Sequence, residues 1–193
     1  MKVSLRQIDG PWSAGFVLDK QLLSSVYLGN DSEGRPRFDH TRTDAGEALF
    51  QLKHRGDKSQ AEPLARAVRN FILPRLGPIG FIVPMPPSRV RPWQPMSLVA
   101  RELALQLRVP VFERLLLKTP LSRPLKDFPT REERLLALTH AFSLHDEIRN
   151  QGLWNALLID DVVDSGTTME AASLLLRKYR KIDQLFVAAL TWA

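Results

Sequence analysis

The residues best suited to chemistry lie in one short stretch, residues 157–169, which reads LLIDDVVDSGTTM. A short apolar run at its start suits a buried strand. The run leads into two adjacent acids, Asp160 and Asp161, and then into two valines. A loop rich in hydroxyl groups follows, and an amphipathic helix pattern begins directly after it. The stretch therefore predicts a strand, an acidic edge, a tight loop and a helix N-terminus, in that order.

The loop is suited to holding a phosphate group. A helix N-terminus has unpaired N–H groups and a partial positive charge. A glycine permits positive φ and close approach of the backbone, and hydroxyl side chains add donors. The adjoining carboxylates could hold sugar hydroxyls and part of the water shell of Mg²⁺. The alternative is a strand-to-helix turn whose acids only cap the helix. The candidate phosphate ligands are Ser165, Gly166, Thr167 and Thr168.

Two groups of basic residues precede this stretch. Lys53 and Arg55 lie beside Gly56, at the end of a predicted helix over residues 43–54. They suit either the negative end of the helix dipole or contact with pyrophosphate, and composition leaves both open. Arg89 and Arg91 follow in a proline-rich loop.

That proline-rich loop comes directly after FIVP, residues 81–84, the first predicted core strand. Ligands of α/β proteins bind at the carboxyl ends of parallel strands, and the forked donors of arginine match phosphate oxygens. The alternative is a surface loop with incidental arginines.

A second proline-rich loop covers residues 118–129 and has no clear periodicity. Long loops inside compact domains are often lids over a site. In that case several cations could approach a bound anion when the loop closes; an ordinary mobile loop is the alternative. The cations are Arg123, Lys126, Arg131 and Arg134.

The remaining elements must position these groups. Residues 2–29 contain short β-type runs and end in a turn cluster, so we expect a small antiparallel element there. Capping boxes at Ser59 and Thr130 predict two helix starts. Apolar periodicity predicts further elements: a helix at 95–108, a strand at 109–112, a helix after residue 168 and a strand at 184–190.

Composition sets the outer limits. The 193 residues are most simply one domain, and 44% are hydrophobic and 25% charged, as in ordinary globular proteins. The absence of cysteine excludes disulfides, thiol nucleophiles and cysteine zinc sites. We expect no membrane partner, because no apolar run approaches the roughly 20 residues that span a bilayer. The N-terminus lacks a signal-peptide pattern, so we expect a cytoplasmic protein.

The net charge of +6 is unevenly distributed. Residues 53–134 contain 16 Lys and Arg against 7 Asp and Glu, a net charge of +9, whereas the remainder has a net charge of −3. A basic middle beside an acidic pair suits a polyanionic small substrate. It could also bind nucleic acid, or simply form solvated helix faces.

The stretch at 157–169 resembles the 5-phosphoribosyl-1-pyrophosphate (PRPP) motif of type I phosphoribosyltransferases. That motif has a mostly apolar run, two acids, two apolar residues, a variable residue, Ser or Thr, Gly, any residue and Thr. This sequence meets every position. Within that family, the chain is most similar to ComF-like proteins.

The ComF-like similarity rests on LKHRGD at 52–57, the Val-Pro segment at 83–101 and TREERLLALTHAF at 130–142. Two departures weaken any transfer of a role in DNA uptake. The four-cysteine zinc element of many ComF-like proteins is absent, and PWQP stands at 92–95 in place of Gly-Phe-Asn-Gln.

The resemblance implies the type I phosphoribosyltransferase fold, an α/β fold with a mostly parallel sheet flanked by helices and an N-terminal β-rich hood or hairpin. It implies one phosphoribosyltransferase domain over 1–193, with the β-rich element at 1–42 and a ComF-like core at 43–193. The implied reaction transfers the phosphoribosyl group of PRPP to a nitrogenous acceptor and releases pyrophosphate.

The resemblance also assigns roles to residues. Asp160 and Asp161 would hold the ribose hydroxyls and, mostly through water, Mg²⁺, and Asp164 could act as a general base near the acceptor. Residues 164–168 would bind the 5-phosphate. The implied pyrophosphate ligands are Lys53, Arg55, Arg89 and Arg91.

Two other functions stay open at this point: a DNA-binding protein of DNA uptake or processing, and a PRPP-sensing regulator without turnover. The further candidate partners are single-stranded nucleic acid and a second copy of the chain.

Overall fold

The computed structural model describes residues 1–88 and 92–193. Nine strands lie within these residues. In chain order they are β1 (Arg6–Gln7), β2 (Ala14–Lys20), β3 (Leu22–Asn30), β4 (Pro36–Arg42), β5 (Phe81–Pro84), β6 (Leu116–Lys118), β7 (Phe142–Leu144), β8 (Trp154–Val163) and β9 (Ile182–Trp192).

The central sheet is mostly parallel. Its strand order is β1-β2-β9-β8-β5, and every pairing is parallel except that of the edge strand β1. Helices cover both faces, which confirms the predicted α/β class. They are α1 (Asp44–Phe50), α2 (Ala61–Ala67), α3 (Pro95–Leu107), α4 (Arg131–Ala141) and α5 (Thr167–Leu176).

The core has two layers, because successive side chains of a strand point to opposite faces of the sheet. On β8, Leu157 and Ile159 pack into the cluster that includes residues of α1, α2 and α3. Ala156 and Leu158 pack on the other side, with residues of α4 and α5. The apolar run predicted as a buried strand is therefore buried on both faces, as is typical of parallel sheets.

Helix starts follow their capping side chains. The Thr43 hydroxyl accepts a hydrogen bond from the Gly46 N–H at 2.9 Å, and Thr130 accepts one from the Glu133 N–H at 3.1 Å. The capping box predicted at Ser59 is wrong. Asp57 accepts a hydrogen bond from the Ser59 N–H at 3.1 Å and begins a short 3₁₀ turn. The α-helix α2 therefore starts at Ala61, after this turn.

A widened π-helical turn, Gln51–Arg55, continues α1 and ends at Gly56, whose φ is 76°. A similar turn, Val68–Ile72, continues α2. Turns of this kind are often found at functional sites, because they rotate the following side chains out of the regular helical positions.

The N-terminal element differs in part from the prediction. Strands β3 and β4 form the expected antiparallel hairpin, but β2 joins the central sheet parallel to β9. The strand predicted at 109–112 is reduced to one bridge between Val111 and Ile82. A second two-stranded antiparallel sheet, β6–β7, was not predicted. Among the described residues, no helix combines the length and apolarity that crossing a membrane requires.

Candidate active site

A cleft of about 420 Å³ opens at the carboxyl end of β8. Its wall combines side chains from the π-helical extension of α1, the loop after β5, the start of α3, strand β6 and β8 itself. The lining residues include Lys53, Met85, Ser88, Gln94, Met96, Lys118, Asp160, Asp161 and Thr168. The carboxyl ends of parallel strands are where α/β folds bind ligands, and the acid pair lies at this edge.

The two carboxylates face different lysines. The Asp161 side chain accepts a hydrogen bond from the Lys53 ammonium, which reaches it from the π-helical turn. Asp160 points to the other face of the strand. There, Lys118 of β6 is a nearby cation, and it donates a 3.1 Å hydrogen bond to the Ser88 hydroxyl. Asp161 therefore pairs directly with Lys53, whereas Asp160 is influenced by both lysines.

Asp160 is the more perturbed of the two acids. Its side chain is 9% exposed, and one carboxylate oxygen accepts the Asp161 N–H at 2.8 Å. Burial, and secondarily the Asp161 carboxylate, raise the pKa of Asp160 to about 7, against the effects of the Asp161 N–H, Lys53 and Lys118. Burial likewise lowers the pKa of Lys118. Perturbed groups in a cleft are typical of functional sites.

This perturbation predicts a pH-dependent stability. The folded protein holds the Asp160 proton more tightly than the unfolded chain does. The contribution of this proton to the unfolding free energy is therefore fully present below pH 3.8, and it is lost as the pH rises through about 7. Asp160→Asn removes this dependence. Between pH 5 and pH 8, the wild type should lose on the order of 2 to 3 kcal/mol of unfolding free energy that the variant does not lose. Urea unfolding at both pH values measures this difference.

Lys118→Met tests the opposing electrostatic effect of this lysine. Removing this cation should raise the pKa of Asp160 further, so the loss of stability should extend to higher pH. A difference in unfolding free energy between Asp160→Asn and wild type that stays constant from pH 5 to pH 8 would contradict the raised pKa of Asp160.

The predicted phosphate loop lies between β8 and α5. Gly166 has a φ of 76° and a ψ of −9°, the left-handed conformation that glycine adopts without strain. The Ser165 and Thr167 hydroxyls are 3.0 Å apart, while Thr167 is fully buried and Asp164 is exposed. The first N–H groups of α5 therefore emerge from a loop lined with hydroxyls.

A small pocket of about 90 Å³ lies over this loop and adjoins the cleft. Its wall contains every residue from Val162 to Met169, together with Asp160 and Leu125. Leu125 belongs to the proline-rich loop predicted as a lid. Arg131 at the start of α4 pairs with Glu170 in the first turn of α5. The predicted lid therefore lies next to the predicted phosphate loop.

The predicted cations are divided between the cleft and its surroundings. Lys53 lines the cleft, whereas Arg55 is exposed and lies 5.6 Å from the centre of the Phe50 ring. Arg89 and Arg91 lie outside the described residues.

The cations of the predicted lid have local partners. Arg123 lies 4.2 Å from the centre of the Phe128 ring, and Arg134 donates a 2.9 Å hydrogen bond to the Phe128 carbonyl. Neither residue is among the described residues that line the cleft.

Sequence reasoning did not identify Lys118. It ends β6, a three-residue strand whose partner β7 lies beyond α4 in the chain. The apolar run LLL before this lysine is the only local signal, and it resembles many strand ends.

At the cleft, Asp160 and Asp161 are residues that could hold a metal ion. The described residues contain no cluster of three or more His, Cys, Asp or Glu side chains arranged to hold a metal. Mg²⁺ commonly uses one or two carboxylates, substrate phosphates and several waters instead of an all-protein cage. Asp160 and Asp161 are carboxylates of this kind.

No protein family description and no curated protein matches this sequence. Several solved structures are similar in shape. One adenine phosphoribosyltransferase has 15% identity and a TM-score of 0.42, over 88% of this chain and 86% of its own. The Saccharomyces cerevisiae adenine phosphoribosyltransferase has 18% identity and a TM-score of 0.41, over 86% and 84%.

The orotate phosphoribosyltransferase from Aeropyrum pernix has 17% identity and a TM-score of 0.37, over 84% of this chain and 74% of its own. Similarity this distant assigns neither an activity nor a ligand to this chain.

Proposed function

We propose that this protein is a phosphoribosyltransferase that uses PRPP and Mg²⁺, releases pyrophosphate and acts on a nitrogenous acceptor. One observation carries the proposal: the cleft with two carboxylates adjoins a phosphate-sized pocket over a glycine-containing loop at a helix N-terminus. PRPP has groups that match these two features: a phosphate at one end of its sugar and hydroxyls in the middle.

The phosphate end would lie over residues 164–168. Backbone N–H groups at the start of α5 and the hydroxyls of Ser165, Thr167 and Thr168 supply donors there. The loop contains no lysine or arginine, so the helix dipole and the aligned N–H groups must balance the phosphate charge. This arrangement would orient the sugar with its hydroxyls toward β8.

The ribose hydroxyls would donate to Asp160 and Asp161. Because Lys53 already neutralises part of the charge of Asp161, a bound sugar and its cation must share or displace that contact. Mg²⁺ would supply positive charge to the pyrophosphate oxygens as that group leaves. Asp160 and Asp161 would hold its water shell, and Asp160 must lose its proton to do so.

The leaving group would develop its charge beside two lysines. Lys53 and Lys118 line the same cleft, and preorganised cations stabilise charge that appears in the transition state. Arg89 and Arg91 remain pyrophosphate ligands predicted from the sequence, whereas exposed Arg55 would need to turn toward the cleft. Asp164 is exposed beside the small pocket, and it would accept a proton from the acceptor nitrogen.

Pyrophosphate release is the direct test. The protein should release pyrophosphate from PRPP and Mg²⁺ when a panel of nucleobases and amines includes its acceptor. Binding is measured separately, by thermal denaturation with PRPP and Mg²⁺. Stabilisation together with release supports the transferase.

Stabilisation without release for any acceptor would favour the PRPP-sensing alternative. No stabilisation by PRPP, together with salt-dependent binding of single-stranded DNA, would favour the nucleic-acid alternative.

A further inference from the structure

The β3–β4 hairpin contains unusually exposed apolar side chains. Tyr27 and Phe38 are 55% and 48% exposed, with ring centres 5.5 Å apart on one face. Val26 and Leu28, each 56% exposed, lie on strand β3 as well. A two-stranded hairpin alone is marginally stable in water, so a further strand would stabilise it.

The two free edges of the hairpin differ. Both register shifts insert an extra residue into β3, one between Leu22 and Ser24 and one between Tyr27 and Asn30. Bulges of this kind protect an edge against pairing with another strand. Strand β4 has no extra residue, and its residues 36–41 are all exposed. The regular edge available for pairing is therefore that of β4.

The charges on β4 are self-complementary. Arg37 and Asp39 flank Phe38, and as next-but-one neighbours they share a face of the strand. Among the described residues, neither of their side chains forms an ion pair or a side-chain hydrogen bond. If a second β4 lies antiparallel about a twofold axis at Phe38, Arg37 stands opposite the partner's Asp39, and Asp39 opposite the partner's Arg37.

We propose that two copies of this chain pair antiparallel along β4, with the twofold axis at Phe38. The interface is isologous, so each opposite-charge pair occurs twice. The two Phe38 rings meet at the axis, on the face that also carries Tyr27. Pairing converts two exposed hairpins into one four-stranded sheet.

The hairpin itself carries as many acids as arginines, three each in residues 22–42, which favours a second copy over nucleic acid as the partner.

Charge reversal tests this pairing. Wild type should have twice the chain mass of 21.9 kDa by sedimentation or light scattering at micromolar concentrations. Arg37→Asp and Asp39→Arg should each be monomeric under those conditions, with dimer affinity reduced at least about tenfold, because like charges then face each other twice. A mixture of the two variants should form a heterodimer, since the acids of one chain face the arginines of the other.

The mixing arm also tests folding, because a misfolded variant would not restore the dimer. Arg35→Asp is the matched control: Arg35 pairs locally with Glu33 outside β4, so its reversal should leave the dimer intact. A monomeric wild type, or a dimer that survives both reversals, would overturn the proposal. Monomeric wild type that binds a single-stranded oligonucleotide through Tyr27 and Phe38 would assign this face to nucleic acid instead.

Discussion

Replacing both acids at the end of β8, by Asp160→Asn with Asp161→Asn, should abolish stabilisation by PRPP and Mg²⁺. At a hundred times its dissociation constant, a ligand stabilises the native state by about 2.7 kcal/mol. For a chain of this size, that raises the melting temperature by roughly 5 to 10 °C. An amide keeps the carboxylate's shape but has no charge for Mg²⁺, and its NH₂ group cannot accept from a ribose hydroxyl.

The fold itself should tolerate these changes. The asparagine carbonyl at position 160 can still accept the N–H of residue 161, and Lys53 is 28% exposed, so water can solvate its ammonium. The variants are measured by thermal denaturation with and without PRPP and Mg²⁺.

Asp19→Asn is a close control for the acid pair. Asp19 lies near the end of β2, is 8% exposed, and accepts the next residue's N–H at 2.7 Å, much as Asp160 does. It is not among the described residues that line the cleft. The control should retain the full PRPP shift. A normal shift in the Asp160 and Asp161 double variant would remove the acid pair from the site.

Gly166→Val should weaken binding of ribose 5-phosphate at least about tenfold. Apart from the adjacent residues of the chain, no atom of the described residues lies within 4 Å of the Cβ position at Gly166, so the cost arises from the backbone and not from a clash. A φ of 76° is unfavourable for a β-branched residue, by about 1–2 kcal/mol or more. The loop would move to relieve this strain and misalign the N–H groups at the start of α5. Thr167→Ala, which removes one hydroxyl, should weaken binding less.

Gly34→Val separates backbone strain from ligand binding. Gly34 has the same φ of 76° and equally open space, but it lies in the turn of the β3–β4 hairpin. Both valine variants should lose similar stability in urea unfolding, and only Gly166→Val should lose affinity in calorimetric titration with ribose 5-phosphate. Equal affinities in the two variants would remove the loop from the phosphate site.

Local sequence signals were sufficient to predict the loop before α5 and several helices. The left-handed Gly166 and the start of α5 follow from adjacent residues, as does the threonine cap of α4. The cap at Ser59 failed because Asp57, two residues earlier, accepts hydrogen bonds from both the N–H and the hydroxyl of Ser59. Short-range competition of this kind is hard to resolve when several capping residues are close together.

Long-range contacts account for what the sequence did not reveal. Strand β8 extends through Val163 because β9 pairs with it that far, which places both acids inside a strand. The Lys53–Asp161 contact joins residues 108 positions apart. Lys118 reaches the cleft because β6 pairs antiparallel with the distant strand β7. Parallel pairing has no turn to mark it locally, so β2 was assigned to a separate N-terminal element.

The position of β9 in the sheet has a consequence for biosynthesis. β9 lies between β2 and β8, so residues 182–192 connect β1 and β2 to the rest of the sheet. While a ribosome is still making those residues, the edge of β2 remains uncovered, and Val17 and Leu18 lack much of their packing. Strands that await distant partners fold slowly and expose edges that can aggregate. The nascent chain should therefore depend on chaperones until β9 has left the ribosomal tunnel.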